Sequence, residues 1–265
     1  MRKSLPAADP MFEILRHDVL DSTSSEAARR VRAGLARHGE VHVAREQTAG
    51  RGRQGRVWHS EPGAGLYTTA IWFADTRPSG AAVTMAAGLA TLAAVRASGV
   101  ATARLDWPND VDVGGAKLAG VLVEALESGG RVALLVGIGI NVAQREFPPA
   151  LAAERRVTSL VLAGARGGAE LVDATLAHLL AALAFELERA CSATDGRAAR
   201  TALAADYAAA TGLVGRDVRV LRATPTGESE VRGRLVALDL ERGLVLAGAA
   251  APFALEHVRA LDSCD

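Results

Sequence analysis

The spacing of apolar residues predicts helices and strands along most of the chain. Residues 81–98 are rich in alanine and place apolar side chains at helical spacing up to Gly99, which predicts a buried helix. Strands are predicted over residues 41–44, 66–73, 118–124 and 131–142. The last two are separated by a Ser-Gly-Gly turn, so we expect them to form a hairpin. Two further helices are predicted over residues 169–191 and 197–211.

An earlier helix is predicted to follow the polar segment Ser22-Thr23-Ser24. Thr23 and Glu26 have the T-x-x-E spacing of a capping box, in which the threonine side chain caps the N-terminus of the helix. This helix is expected to end near Gly39.

The pattern changes after Gly212, where short apolar strands alternate with turns. Strands of this length and spacing are typical of a small all-β barrel. The sequence therefore predicts two domains, residues 1–212 and residues 213–265.

Composition and charge limit the kinds of function. The 30 basic and 30 acidic residues cancel, so no overall field draws the chain toward DNA, RNA or an anionic membrane. Met1–Pro6 lacks the apolar stretch of a secretory signal, and the longest apolar run, residues 132–142, is shorter than the roughly 18 residues of a membrane span. Cys191 and Cys264 form no CxxC pair, which is typical of a reducing compartment. A cytoplasmic protein without a metal site is expected.

The most informative stretch is the glycine- and arginine-rich loop Gly50–Arg56. Its glycines allow close approach to a ligand and its arginines carry fixed positive charge, so the loop suits an anion. A Rossmann fingerprint is disfavoured because residues after Gly55, which include Pro62, cannot continue as a helix. The chain also lacks the H-R-D and D-F-G motifs of a kinase and the G-K-[ST] of a Walker A loop. If the loop is considered alone, a solvated basic turn remains the alternative.

Two further clusters lie downstream. Trp107–Asp110 precedes Lys117, which stands just ahead of an apolar strand and can point a positive charge into a site beside the sheet. Considered alone, Lys117 would more often be a surface lysine. The segment Gly137–Asn141 is a strand with two glycines, which by itself indicates close packing against another backbone.

Taken in order, these clusters resemble the biotin protein ligase family. The family pattern is S-T-[NS], Q-x-A-G-R-G-R-x-G-R, W-P-N-D, K-L-A-G-[IV]-L-V-E and G-I-G-[IL]-N. This chain matches it at Ser22–Ser24, Gln47–Arg56, Trp107–Asp110, Lys117–Glu124 and Gly137–Asn141. The resemblance covers roughly residues 20 to 145, and the ordered set is far more specific than any single motif.

The resemblance implies a fold and an activity. The expected fold is α+β, a mixed β-sheet flanked by helices, with an SH3-like barrel at the C-terminus. The expected enzyme forms biotinyl-5′-AMP from biotin and ATP, with Mg²⁺ accompanying the triphosphate, and transfers biotin to a lysine of a biotin carboxyl carrier protein. Exposed strand edges suit either docking of the carrier or a homodimer, and this alternative stays open.

The resemblance also implies the roles of individual residues. Biotin contacts are expected from Ser22, Thr23, Ser24, Gln47, Gly50, Arg51 and Gly120. ATP or adenylate contacts are expected from Arg51, Gly52, Arg53, Gly55, Arg56, Trp58, Asn109, Lys117 and Asn141. Lys117 and Arg53 are the expected catalytic residues, and Thr23 is either a biotin contact or the helix cap.

One position departs from the family pattern. Family members commonly carry lysine directly before W-P-N-D, whereas this chain has Asp106. The charge reversal leaves a non-catalytic biotin-binding or regulatory protein as one alternative. A lipoate or octanoate transferase of related fold is a second, although the arginine-rich loop favours biotin. Because only about twenty residues precede Ser22, no N-terminal DNA-binding module and no DNA partner are expected.

Overall fold

The computed structural model describes residues 11–168, 170–192, 196–225 and 227–264. Met1–Pro6 and Ala169, which the sequence predictions included, lie outside the described residues. The helices are α1 (Thr23–Arg32), α2 (Gly80–Ala97), α3 (Pro149–Glu154), α4 (Glu170–Cys191) and α5 (Gly196–Thr211). The strands are β1 (Glu13–Leu20), β2 (Glu40–Gln47), β3 (Gly65–Ala74), β4 (Arg104–Asp106), β5 (Asp110–Val113), β6 (Ala116–Ser128), β7 (Arg131–Asn141), β8 (Asp217–Thr224), β9 (Gly227–Asp239), β10 (Gly243–Leu246) and β11 (Val258–Ser263).

Seven strands form a mixed sheet in the order β1-β2-β3-β7-β6-β5-β4. β1 runs parallel to β2, and the other neighbours are antiparallel. β6 and β7 form the predicted hairpin, with Ser128 opposite Arg131 at its turn. The predicted α+β fold, a mixed sheet flanked by helices, is confirmed.

Helices cover both faces of this sheet, because alternate strand residues point to opposite sides. Along β7, Leu134 and Val136 join the large apolar core beneath α2, α4 and α5. Ala133 and Leu135 pack instead in a smaller cluster with α1. α2 has the length and apolar composition of a membrane-spanning helix, but 61% of it is buried in the large core, as predicted for a core helix.

The C-terminal strands form a second sheet, antiparallel, in the order β10-β9-β8-β11. Its inner residues, such as Val220 and Leu261, belong to the same apolar core as α2. The Trp107 indole N–H donates to the carbonyl of Val258 at 3.4 Å, which joins this sheet to the W-P-N-D segment. A small C-terminal β unit is therefore present. Its closure into an SH3-like barrel and the boundary at Gly212 stay predictions.

α1 differs from its prediction at both ends. It begins at Thr23 with Ser22 in the N-cap position, and the Ser22 side chain makes no capping bond. The predicted capping box is therefore wrong, because Thr23 lies inside the helix and its hydroxyl turns toward the sheet, where Thr69 donates to it at 2.9 Å. The helix ends at Arg32 rather than near Gly39, because the chain turns at Gly34, whose φ is +69°.

A buried ionic network holds α1 against the sheet. Glu40 and His42 of β2 are 1% and 0% exposed. Glu40 accepts hydrogen bonds from Arg30 of α1, at 3.0 Å from Nη2, and from His42 Nε2 at 2.8 Å. Burial acts to raise the pKa of Glu40, but Arg30 and His42 outweigh it and the pKa is lowered. His42 Nδ1 lies 3.0 Å from Nε2 of His17, so the network also reaches β1.

Candidate functional site

The start of α1, the end of β2 and the facing parts of β6 and β7 enclose a narrow first cavity of about 50 Å³. The predicted site residues that line it are Ser22, Thr23, Ser24, Gln47, Arg51, Gly52, Arg53, Trp58, Asn109, Lys117 and Gly120. Tyr67, Thr68 and Gly139 line it too, although the sequence predictions gave them no ligand role. Folding therefore brings residues from all five motifs together around one cavity.

A chain of hydrogen bonds fixes the polar side chains of the first cavity. Gln47 Oε1 accepts from the backbone N–H of Thr23 at 2.9 Å and from its hydroxyl at 3.3 Å. Gln47 Nε2 donates to the Ser60 hydroxyl at 3.0 Å. Thr69 links the hydroxyls of Thr23 and Ser24, at 2.9 and 3.2 Å. These groups are held in place before a ligand arrives, which lowers the ordering cost of recognising a polar head group.

A second cavity of about 460 Å³ lies beside the first. Both are lined by Gly52, Arg53, Trp58, Asn109 and Lys117. The second also holds the predicted nucleotide residues Arg56 and Asn141, together with Arg155. Two ligands, one in each cavity, would therefore meet beside Trp58 and Lys117.

The glycines of the loop shape the loop itself. A side chain at Gly50 would collide with the backbone oxygen of Trp58. The backbone N–H of Trp58 donates to the Gly50 carbonyl at 2.9 Å. Gly52 N–H donates to the Arg56 carbonyl at 2.8 Å, and Gly55 has φ +74°. Gly50 and Gly55 do not line either of these cavities, but Gly55 lines a further cavity of about 600 Å³ together with Arg51 and Arg53. The ligand contacts expected of Gly50 and Gly55 stay predictions.

The arginines bind the loop to the sheet, which argues against a freely solvated basic turn. Arg51 donates twice to Glu124 of β6, at 2.7 and 3.0 Å. Arg53 donates to Asn109 Oδ1 at 2.9 Å, and Asn109 Nδ2 donates to the Val121 carbonyl at 2.7 Å. The loop is therefore closed against the β6 wall of the first cavity.

Neutralising Glu124 is expected to loosen this loop. A partly exposed pair contributes about 0.5–1 kcal/mol, so Glu124→Gln should speed tryptic cleavage within the loop by roughly two- to fivefold. The measurement is limited proteolysis followed by mass spectrometry. Glu127→Gln is the matched control, because Glu127 lies on the same strand and pairs with Arg77 at 2.5 Å away from the cavities. Equal cleavage rates for the two variants would show that Arg51 does not hold the loop.

Lys117 is the central cation of the site. Its Nζ lies 2.7 Å from Asp110 Oδ1 and 5.4 Å from the centre of the Trp58 ring. The other oxygen of Asp110 accepts from Arg155 at 2.9 Å. Burial lowers the pKa of Lys117, and Asp110 opposes that shift. Asp110 was not assigned a role from the sequence although it lies in W-P-N-D, and Arg155 lies in no motif.

The two glycines of β7 make room for side chains of the site. A Cβ at Gly139 would lie 2.5 Å from the Trp58 ring, and one at Gly137 would lie 2.9 Å from the Ser24 hydroxyl. The predicted close packing against a backbone holds at Gly137, where a Cβ would also lie 3.2 Å from the Leu122 carbonyl oxygen, whereas the nearest neighbour of Gly139 is the Trp58 side chain. Larger residues at either position would displace Trp58 or Ser24.

Asp106 lies behind the site rather than on its wall. It is opposite Asp110 in the β4–β5 pair and does not line the first or second cavity. Burial raises the pKa of Asp106 to about 6, and the neighbouring Asp110 and Asp112 carboxylates add to the effect. The negative charge that Asp106 carries in place of the family's lysine therefore lies next to the Asp110 carboxylate rather than in either of these cavities.

Replacing Asp106 with asparagine is expected to stabilise the fold at neutral pH. Because the pKa of Asp106 is higher in the folded than in the unfolded chain, its contribution to stability falls as pH rises from about 4 through about 6. Asp106→Asn should therefore gain about 1–3 kcal/mol at pH 7, and the gain should shrink toward pH 4. Urea unfolding at both pH values measures it. A pH-independent difference would assign the effect to packing instead.

Comparison with known proteins shows which family this chain is similar to. Residues 17–141 match the Biotin/lipoate A/B protein ligase family. The biotin–[acetyl-CoA-carboxylase] ligase of Mycobacterium tuberculosis is 33% identical over 206 residues, which cover 75% of this chain and 71% of that protein. The bifunctional ligase/repressor BirA of Salmonella typhimurium is 38% identical over 129 residues, 48% of this chain and 40% of BirA. The chain thus spans about half or less of the length of several curated relatives.

Among solved structures, the fold is similar to that of the biotin protein ligase from Aquifex aeolicus in complex with biotin and ATP. The match covers 94% of this chain and 95% of that chain, with 26% identity and a TM-score of 0.66. It extends over the C-terminal sheet, whose sequence carries no diagnostic motif. Sequence, fold and relatives agree that the chain belongs to the biotin protein ligase family.

Proposed function

We propose that this chain is an ATP-dependent ligase that activates biotin as biotinyl-5′-AMP and transfers it to a lysine of a biotin carboxyl carrier protein. The observation that carries the proposal is a pair of cavities that share Lys117 and Trp58 as lining residues. Biotin occupies the first cavity and ATP the second. The biotin carboxylate then meets the α-phosphorus at their shared wall.

The first cavity suits the ring head group of biotin. A buried urea needs both donors and acceptors, and a site built for them discriminates against ligands that lack them. Thr23, Ser24 and Gln47 supply such groups in a fixed arrangement. Gly120 leaves space beside the Lys117 amine, because a Cβ there would lie 3.1 Å from Nζ. Ser22 and Arg51 complete the proposed biotin wall.

Activation brings two anions together, so positive charge must offset their repulsion. The carboxylate oxygen attacks the α-phosphorus, and pyrophosphate leaves. Arg53 and Lys117 face both cavities, and Arg56 faces the second. Charges held in place in a partly buried site stabilise the developing negative charge without reorganising. These three residues are the proposed cationic machinery, with Lys117 and Arg53 catalytic.

Uncharged residues also line the proposed ATP cavity. Trp58 offers an aromatic face, and Gly52 and Asn109 lie beside it. Asn141 is buried, and its Nδ2 donates to the Thr158 carbonyl at 3.0 Å, so we assign it a positioning role. In the described ranges no cluster of three or more Asp, Glu, His or Cys is placed to hold a metal ion by itself. Mg²⁺ is proposed to enter as the companion of the triphosphate, because it is usually bound through substrate phosphates and one or two carboxylates.

In the second step the amine of the carrier lysine attacks the carbonyl carbon of the mixed anhydride, and AMP leaves. The nucleophile belongs to the substrate, so the enzyme needs no Ser or Cys nucleophile. The closed Arg51–Arg56 loop shields the adenylate from water until the carrier arrives. The proposal places this reaction in the cytoplasm.

Transfer to a carrier tests the proposal. The purified chain is incubated with biotin, MgATP and a biotin carboxyl carrier domain, and the intact mass of the carrier is measured by mass spectrometry. We expect one biotinyl group on the carrier and none on a carrier whose acceptor lysine is arginine. An unmodified carrier, despite biotin binding by the chain, would support the non-catalytic alternative.

A further inference from the structure

We propose that Asp110 protects this enzyme from acylating itself, because its ion pair keeps the Lys117 amine from attacking the biotinyl adenylate. The inference rests on the proposed function, since only an enzyme that holds an acyl adenylate exposes its own amines to it. Asp110 acts through Lys117 and is therefore a positioning residue.

Lysine is almost absent from the chain. The 265 residues include only two lysines, Lys3 and Lys117. Arginine, which supplies the remaining basic side chains, keeps its proton at any ordinary pH and is a poor nucleophile. Lys117 is thus the one side-chain amine within the described residues. It is also the amine placed beside the reacting carbonyl.

The surroundings of Lys117 favour loss of its proton. Its side chain is only 18% exposed, and burial together with the nearby Arg155 and Arg56 lowers the pKa of the amine. Asp110, at 2.7 Å, is the described carboxylate that opposes this shift. Trp58 packs against the amine without supplying a charge. Removing the Asp110 charge therefore leaves burial, Arg155 and Arg56, all of which favour the free amine.

The side reaction is the transfer step with the wrong nucleophile. The Lys117 lone pair would attack the anhydride carbonyl, a C–N bond would form, and the C–O bond to phosphate would break. AMP would leave with the electron pair, and the amine proton would pass to water. The resulting amide has no charge, so a single event would remove the central cation of the site. A proton held on Lys117 by Asp110 occupies the lone pair and blocks the first step.

The test supplies biotinyl-5′-AMP directly, without carrier, to the full chain and to Asp110→Asn and Asp110→Glu. Peptide mass spectrometry measures biotin on Lys117 relative to Lys3, the other lysine of the sequence. We expect the ratio to rise about tenfold or more in Asp110→Asn, since one pKa unit changes the free-amine fraction tenfold. Asp110→Glu should restore the wild-type ratio. The pH at which labelling appears should also be lower for Asp110→Asn.

Equal ratios in the wild type and Asp110→Asn, with both proteins stabilised thermally by the adenylate, would overturn the inference. If Asp110→Asn does not fold, a pH series on the wild type decides. Biotin should appear on Lys117 only as the pH is raised and its ammonium loses a proton. A Lys117 that stays unlabelled while Lys3 is labelled contradicts the inference. A wild-type chain that does not bind the adenylate would instead overturn the proposed function, and the inference with it.

Discussion

Lys117→Ala is expected to lower biotin-dependent ATP–pyrophosphate exchange by about 10²- to 10³-fold. The Lys117 amine lies on the wall shared by both cavities, and its side chain is only 18% exposed. A charge in such surroundings is poorly screened by water, so it acts strongly on negative charge that develops at the phosphoryl group. The assay is release of labelled pyrophosphate into ATP at saturating biotin.

The fold should survive this substitution, because Asp110 keeps its bond to Arg155 at 2.9 Å. An unchanged thermal midpoint is the control for folding. Lys117→Arg keeps the charge and should recover part of the activity, although the planar guanidinium cannot occupy the same position. Exchange within threefold of wild type in Lys117→Ala would remove Lys117 from the proposed machinery.

Glu40→Ala is expected to reduce the free energy of unfolding by about 3 kcal/mol, because it leaves a buried histidine and a partly buried arginine without their anion. Glu40 is 1% exposed and bonds both Arg30 of α1 and His42 of β2. Urea unfolding at pH 7 measures the loss. Biotin affinity should fall as well, since the network holds the helix that begins at Thr23.

Glu13→Ala provides the comparison for Glu40. Glu13 pairs with Arg37 at 3.6 Å, with side chains 53% and 76% exposed, so its loss should change the free energy by less than about 1 kcal/mol. A similarly small change for Glu40→Ala would mean that the buried network does not anchor α1.

Features with local causes were predictable from the sequence. The β6–β7 hairpin follows from two apolar runs around a Ser-Gly-Gly turn, and α2 follows from helical spacing. The ordered motifs identified the cavity residues because those motifs lie where the chain approaches the ligands. The second sheet was anticipated as short strands, whereas its strand β9 extends from Gly227 to Asp239.

Features set by distant contacts were not predictable in the same way. β1 was missed because it is an edge strand in which Ile14 and Val19 are exposed, so its pattern does not alternate cleanly. Glu124 meets Arg51 across 73 positions of the sequence, and Arg155 meets Asp110 across 45. The T-x-x-E spacing at Thr23 permitted a cap, but hydrogen bonds to the sheet determined where the hydroxyl points.

ATP–pyrophosphate exchange by the wild-type chain, with biotin, lipoate and octanoate compared as acids, tests the central claim most directly, because it isolates adenylation from the carrier. The proposed biotin and ATP cavities predict exchange with biotin and none above background with the other two acids. Exchange with lipoate or octanoate but not biotin would contradict the claim. Absence of exchange with all three, despite measurable biotin binding, would show instead that a chain with Asp106 behind its site binds biotin without activating it.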